Sequence, residues 1–219
     1  METTARTTSL LPARPWNGLR VLDLFCCAGG AGMGYHLAGF DVTGVDIQPQ
    51  PNYPFTFVQG DALKYAQEHA HRFDLVHASP PCQYYARVTR WRGNADSHPN
   101  LIAPTRTLLS TTGRPWVIEN VPGAPLRADF LLCGSMFGLR VRRHRLFETS
   151  WHAAQLTAPC DHRALLPFAH KDERAFADAM GCTWMTNKEG RQAIPPAYTD
   201  LIGRQATVEL LAHTTPAAA

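Results

Sequence analysis

The chain has no apolar run long enough to span a bilayer, no internal repeat and no strong excess of charge of either sign. A spanning helix needs about 20 consecutive apolar residues, so an integral membrane protein is excluded. The missing repeat excludes solenoids and propellers. Lys and Arg number 21 against 18 Asp and Glu, and a net charge of +3 does not by itself demand a polyanionic partner. Disulfide density is also absent: Cys26, Cys27, Cys82, Cys133, Cys160 and Cys182 are scattered through 219 residues, unlike the framework of a small secreted domain. The leading METTARTTSLLPARPW holds only a two-leucine patch where a signal peptide needs more, so a reducing cytoplasm is expected. What remains is 45% hydrophobic and 18% charged, the composition of one soluble globular domain with a sizeable core.

Hydrophobic patterning gives an α/β reading. LRVLDLF is a short continuous apolar run of the kind buried in a parallel sheet, followed by CCAGGAGMG and a helix through Tyr35. FDVTGVDI, FTFVQG, FDLVHAS and PWVIENV supply four further strands, and FLLCGSMFG with RRHRLFE adds sheet elements. Between them DALKYAQEHAH reads as a helix that Asp61 could cap, and another helix runs from about Asn100 to Ser110. IPPAYTDLIGRQATVELLAH reads as a closing helix, and one more covers Glu173 to Met180. Strands alternating with helices predict a doubly wound, mostly parallel sheet of Rossmann-like form. The expected organisation is a tail over 1–17, a main domain over 18–148, a loop-rich insertion over 149–181, a C-terminal segment over 182–213 that completes the domain, and a tail over 214–219.

In such a sheet ligands bind beyond the carboxyl ends of the strands. Asp23, Phe25, Cys26, Cys27, Ala28, Gly29 and Gly30 lie where the first strand meets the first helix, and glycines there would let backbone N–H groups approach a ligand. Asp46, ending the second strand about twenty residues on, could hold ribose hydroxyls, and Asp61 could meet an adenine amino group. Ile47, Ala62 and Pro80 complete the expected nucleotide-like site. The G-x-G-x-x-G spacing is not clean, so these residues alone leave a nicotinamide cofactor open, and the glycines could simply permit tight packing.

A second site follows the fourth strand. Pro80 and Pro81 remove two backbone donors and stiffen the loop that carries Cys82, at the same sheet edge as the glycine turn, which makes a nucleophile plausible. Glu119 ends an apolar strand, where a carboxylate is costly unless paired or used. Arg143 and Arg145 alternate around His144, which on a strand places both guanidinium groups on one face. Gln83, Arg87, Arg90, Trp91 and Arg92 follow the thiol closely and suit phosphate and base contacts.

These stretches, in order DLFCCAGG, the strand ending at Asp46, QGDAL, SPPCQ, IENV, RRHR and IPPAY, resemble the C5 cytosine-specific DNA methyltransferases. The resemblance implies S-adenosylmethionine as methyl donor, S-adenosylhomocysteine as product, and DNA as partner through a flipped or unpaired cytosine. It implies Cys82 as the nucleophile adding to cytosine C6, Glu119 on the N3 and amino edge, and Arg145 with Arg143 orienting the base. A cytoplasmic bacterial or phage-encoded modification enzyme is the corresponding expectation, with a monomer its simplest form. The same chemistry on RNA or a free cytosine nucleotide, and a non-catalytic nucleic-acid-binding module, are the alternatives.

Departures from the family pattern are specific. Cys27 stands where glycine is usual, Asp46 where Glu is usual, Tyr84-Tyr85-Ala86 replaces Gly-Phe-Ser, Val141 replaces Gln, and Arg191-Gln192 replaces Gly-Asn. The target-recognition region, a substantial domain in most members, is reduced to the short insertion. Cys160, His162, His170 and Cys182 lie in or beside it without a tight C-x-x-C pair, so ordinary packing and surface histidines are expected there, and no metal. Cys133 is likewise expected to be a buried packing cysteine.

Overall fold

The computed structural model of the chain describes residues 11–163 and 173–214. Residues 1–10 and 215–219 of the expected tails, and residues 164–172 of the insertion, His170 among them, lie outside the described residues. Seven strands form one sheet in the order β3-β2-β1-β4-β5-β7-β6. The first five strands, β1 (Arg20–Leu24), β2 (Asp41–Asp46), β3 (Thr56–Gln59), β4 (Leu75–Ala78) and β5 (Trp116–Asn120), are parallel, as the continuous apolar runs predict. At one edge β7 (Arg145–Thr149) pairs antiparallel with both β5 and β6 (Phe130–Leu132).

Helices cover both faces, as expected of a doubly wound fold. On one face α1 (Gly30–Leu37) and the long α7 (Pro196–Thr214) pack on Val21, Leu75 and Val117. The other face carries α2 (Ala62–His69) and α4 (Ile102–Thr111), whose Ala62, Ala66 and Leu109 cover Leu22, Val76 and Ile118. Alternate strand residues thus enter opposite cores. The α1–α7 contact is close enough to require glycine: a Cβ at Gly34 would lie 2.0 Å from Thr199 Oγ1, while the Thr199 hydroxyl donates to the Ala31 carbonyl at 2.8 Å. The C-terminal helix is therefore part of the main core.

Among the described residues the remaining α-helices are short: α3 (Arg87–Trp91), α5 (Glu173–Ala179) and α6 (Asn187–Gln192). Sequence reading anticipates α5 but not the other two. Among the described residues no helix is long and apolar enough to cross a membrane.

Candidate active site

Strand order reverses between β1 and β4, and the loops leaving their carboxyl ends meet there. After β1 the backbone turns sharply, with φ +57° at Phe25, +44° at Cys27 and +86° at Gly29. Positive φ costs a non-glycine residue about 1 kcal/mol or more, which explains why glycine suits position 27 and why Cys27 strains it. Two tethers hold this strained turn: the Cys27 N–H donates to Asp46 Oδ2 at 3.0 Å, and the Trp184 indole donates to the Ala28 carbonyl at 2.9 Å. Asp46 is buried, and its other oxygen accepts from Gln48 N at 2.9 Å, so the shorter acid brackets the ends of β1 and β2. Beside it Ile47 is 64% exposed.

The glycines after this turn pack closely against the rest of the protein. A Cβ at Gly30 would meet the Ile194 carbonyl at 2.6 Å, and one at Gly32 would meet Asp23 Oδ2 at 2.9 Å, so the space is taken up by the protein itself. Asp61 acts as the helix cap anticipated for it, accepting from Lys64 N at 2.9 Å, with Ala62 buried behind it. Cys26 is buried and its N–H joins the Val45 carbonyl. Asp23 is fully buried beneath the turn, where the Tyr53 hydroxyl donates to Oδ2 at 3.1 Å and Oδ1 has no partner. Burial pushes its carboxyl up to about 8.

Cys82 is half-buried on the loop after β4, and its carbonyl accepts from the N–H groups of Tyr85 and Ala86 in a tight turn leading into α3. Asn120, fully buried at the end of β5, donates from Nδ2 to the Pro80 carbonyl at 2.9 Å and so clamps this loop to the neighbouring strand. Glu119 is buried next to it and pairs with Arg145, Nε to Oε1, at 2.9 Å. Burial raises the Cys82 thiol above its ordinary range, Arg145 and Arg143 oppose the rise, and Glu119 adds to it. The same groups therefore act on one sulfur. Burial also raises the Glu119 carboxyl, against the field of Arg145 and a hydrogen bond from Ser79.

A buried chain of polar groups runs behind Glu119 on the α1–α7 face. The Tyr35 hydroxyl lies 3.0 Å from His77 Nδ1, and His77 Nε2 lies 2.9 Å from Ser79 Oγ. Burial drives the His77 pKa down to about 3, so the ring is neutral. The neutral ring thus links Tyr35 to Ser79, and Ser79 is among the groups that oppose the rise of the Glu119 carboxyl. Sequence reasoning passes over this relay; its signal is a histidine inside the apolar strand FDLVHAS.

Arg143 requires a correction. β7 begins at Arg145, so the two arginines do not share a strand face. Arg143 instead turns to the C-terminal segment, donating from Nε to the Ala193 carbonyl at 3.0 Å and from Nη2 to the Arg191 carbonyl at 2.8 Å. Its guanidinium is anchored among backbone carbonyls, and burial lowers its pKa to about 9. Gln83, Arg87, Arg90, Trp91 and Arg92, the residues expected to contact nucleic acid, are exposed, Trp91 by 84%. Among the described residues none of these three arginines forms an ion pair.

Of the four metal-capable residues considered in the sequence, Cys182 is buried in a core with Met180 and Met185, and His170 is outside the described residues. Cys160 and His162 come together with Cys133 and His144 instead.

Fold and site define a Rossmann-like α/β protein with a thiol, a carboxylate and an arginine gathered at the carboxyl edge of its sheet. Residues 19–127, about half of the chain, match the family model described as C-5 cytosine-specific DNA methylase, and over this segment the chain belongs to that family. Type II methyltransferase M.NgoPII of Neisseria gonorrhoeae is 27% identical over 118 residues, covering 49% of this chain and 35% of that protein. Type II methyltransferase M.AquIA of Picosynechococcus sp. is 30% identical over 122 residues, covering 48% and 49%. The chain thus matches between about a third and a half of the length of these relatives. Among solved structures, Dnmt2 methyltransferase of S. pombe has 21% identity and a TM-score of 0.44, covering 60% of this chain and 48% of that one. The Entamoeba histolytica methyltransferase EhMeth has 14% identity and a TM-score of 0.47, covering 77% and 65%.

Proposed function

We propose that this protein methylates C5 of cytosine in DNA, with S-adenosylmethionine as donor and Cys82 as a transient nucleophile. The observation that carries the reading is the convergence of Cys82, Glu119 and Arg145 beside the turn after β1, in a chain whose residues 19–127 belong to the C-5 cytosine-specific DNA methylase family. The strand ends fit the donor: Asp46 caps β2, exposed Ile47 offers an apolar surface to a purine, and the unpartnered Asp23 Oδ1 lies below. Bound there, S-adenosylmethionine supplies an electrophilic methyl group.

Cytosine C5 is a poor nucleophile until C6 is attacked. Cys82 Sγ adds to C6 as its proton leaves to water, and Glu119, whose burial favours the protonated carboxyl, donates to N3 and neutralises the charge that addition places on the ring. Arg145 holds Glu119 and keeps positive charge beside the thiol. Once C5 is methylated its proton leaves to water, the Cys82–C6 bond breaks by elimination with its electron pair returning to sulfur, and N3 gives its proton back to Glu119. A stacked base hides C6, so the acceptor is flipped out or unpaired, with Arg87, Arg90, Arg92 and Trp91 along the strand that carries it. Labelled donor incubated separately with duplex DNA, single-stranded DNA, RNA and dCMP tests this. Label should enter DNA cytosine C5 and Glu119→Gln should slow turnover at least about a hundredfold, about 2.7 kcal/mol. Label confined to RNA or dCMP, or a near-normal Glu119→Gln rate, overturns the acceptor or the acid respectively.

A further inference from the structure

We propose that Cys133, His144, Cys160 and His162 form a tetrahedral zinc site that fastens the segment after β7 to the sheet edge. One ligand atom from each residue lies within 4.8 Å of all the others. Cys133 Sγ is 3.4 Å from His162 Nε2, and Cys160 Sγ is 3.6 Å from His144 Nε2. Zinc bonds of about 2.3 Å to sulfur and about 2.0–2.1 Å to nitrogen, at tetrahedral angles, place S and N about 3.6 Å apart. Both sulfur–nitrogen contacts therefore have the separation of two ligands on one ion. Isolated thiol–imidazole hydrogen bonds would give the distances but not the meeting of two such pairs. The imidazole planes stand at 87° with centroids 5.1 Å apart, so two rings reach a common centre without stacking against each other.

The surroundings fit a structural centre. Cys133 is fully buried and accepts from the Ser135 hydroxyl at 3.5 Å, and that hydroxyl accepts from Asp161 N at 3.1 Å. Such an outer hydrogen bond to a thiolate orients it toward a metal. All four protein ligands are present, leaving no open position, the pattern of structural rather than catalytic zinc.

Topology gives the site a task. Cys133 directly follows β6 and His144 directly precedes β7, while Cys160 and His162 belong to the irregular segment that leaves β7. Over residues 150–163 that segment has no helix or strand, and Leu156 is 83% exposed, so burial offers it little support. Small segments without a core are commonly held by metal or disulfide. Chelation here ties the segment to the peptide unit next to Arg145.

The untagged full chain, purified from zinc-supplemented cells and dialysed, should carry about one zinc per molecule by elemental mass spectrometry. Cobalt should replace it and show the intense visible bands of a tetrahedral centre with thiolate charge transfer. Cys160→Ser and His162→Asn should each abolish that spectrum, whereas Cys82→Ser should keep it; circular dichroism of each variant reports whether the sheet is intact. Two variants at separate loop positions guard against misfolding of either. Absence of zinc, an octahedral cobalt spectrum, an unchanged spectrum in His162→Asn, or a Cys133–Cys160 disulfide in place of metal would overturn the proposal.

Discussion

Asp23→Asn should make the protein more stable at neutral pH, and the pH dependence of the gain is its signature. Asp23 is fully buried, accepts from Tyr53, leaves Oδ1 unpaired, and has its pKa raised from 3.8 to about 8. In the unfolded chain the carboxyl ionises near 3.8, so between these values folding takes up a proton. The folded pKa is the higher one: stability from the neutral carboxyl is complete below pH 4 and is lost by about 1.4 kcal/mol per pH unit until about pH 8. At pH 7 the loss is about 4 kcal/mol. His77 has the opposite sign, since its folded pKa of about 3 lies below the ordinary 6.5. Its contribution is present above pH 6.5 and is lost as pH falls, so the two slopes cancel between about pH 4 and 6.5.

Of these two groups only Asp23 still contributes a slope between about pH 6.5 and 8, and comparing the two proteins isolates it. Asparagine keeps the acceptor for Tyr53 but places an NH2 group at the unpaired position, at a cost of about 1–3 kcal/mol. The net gain at pH 7 is about 1–3 kcal/mol. Urea unfolding of both proteins across this window measures it, and the difference between them should widen by about 2 kcal/mol from pH 6.5 to 8. Parallel stability curves would refute the assignment of a neutral buried carboxyl.

Asn120→Ala removes the clamp on the Pro80 carbonyl and should cost about 1–3 kcal/mol of stability. Turnover should fall at least about tenfold with donor affinity unchanged, because the loop it steadies carries Cys82; wild-type turnover contradicts that role. Because burial raises the Cys82 thiol, its alkylation rate, followed on the Cys82 peptide, should climb through pH 9 without an earlier plateau. A plateau near pH 7 would mean a stabilised thiolate. Replacing Arg87, Arg90 and Arg92 together by alanine should flatten the salt dependence of DNA binding by about 2–3 in log–log slope, and an unchanged slope removes α3 from the interface.

The central sheet was legible because strands buried on both faces are near-continuous apolar runs, and their ends located Asp46, Cys82 and Glu119. Arg145 was legible too, but Arg143 was not: where β7 starts depends on pairing with β5 and β6, which local alternation does not encode. The same limit hid the Tyr35–His77–Ser79 relay, assembled from a helix, a strand and a loop. α6 could have been found, since Thr186 and Glu189 form a capping box that is visible as spacing in the sequence. The Cys133–His144–Cys160–His162 cluster was beyond reach for a further reason. Cys133 and His144 are neighbours because β6 and β7 pair antiparallel, Cys160 and His162 reach them through an irregular segment, and of the other two metal-capable residues Cys182 lies in a separate core while His170 is outside the described residues.

The most direct test of the account is a bond between Cys82 and the base. Duplex DNA carrying 5-fluorocytosine in place of cytosine, incubated with the protein and S-adenosylmethionine, cannot lose a proton from C5 after methylation. A denaturation-resistant protein–DNA adduct mapping to the Cys82 peptide is predicted, with none formed by Cys82→Ser. An adduct at another residue, or methylation of cytosine by Cys82→Ser at the wild-type rate, would contradict it.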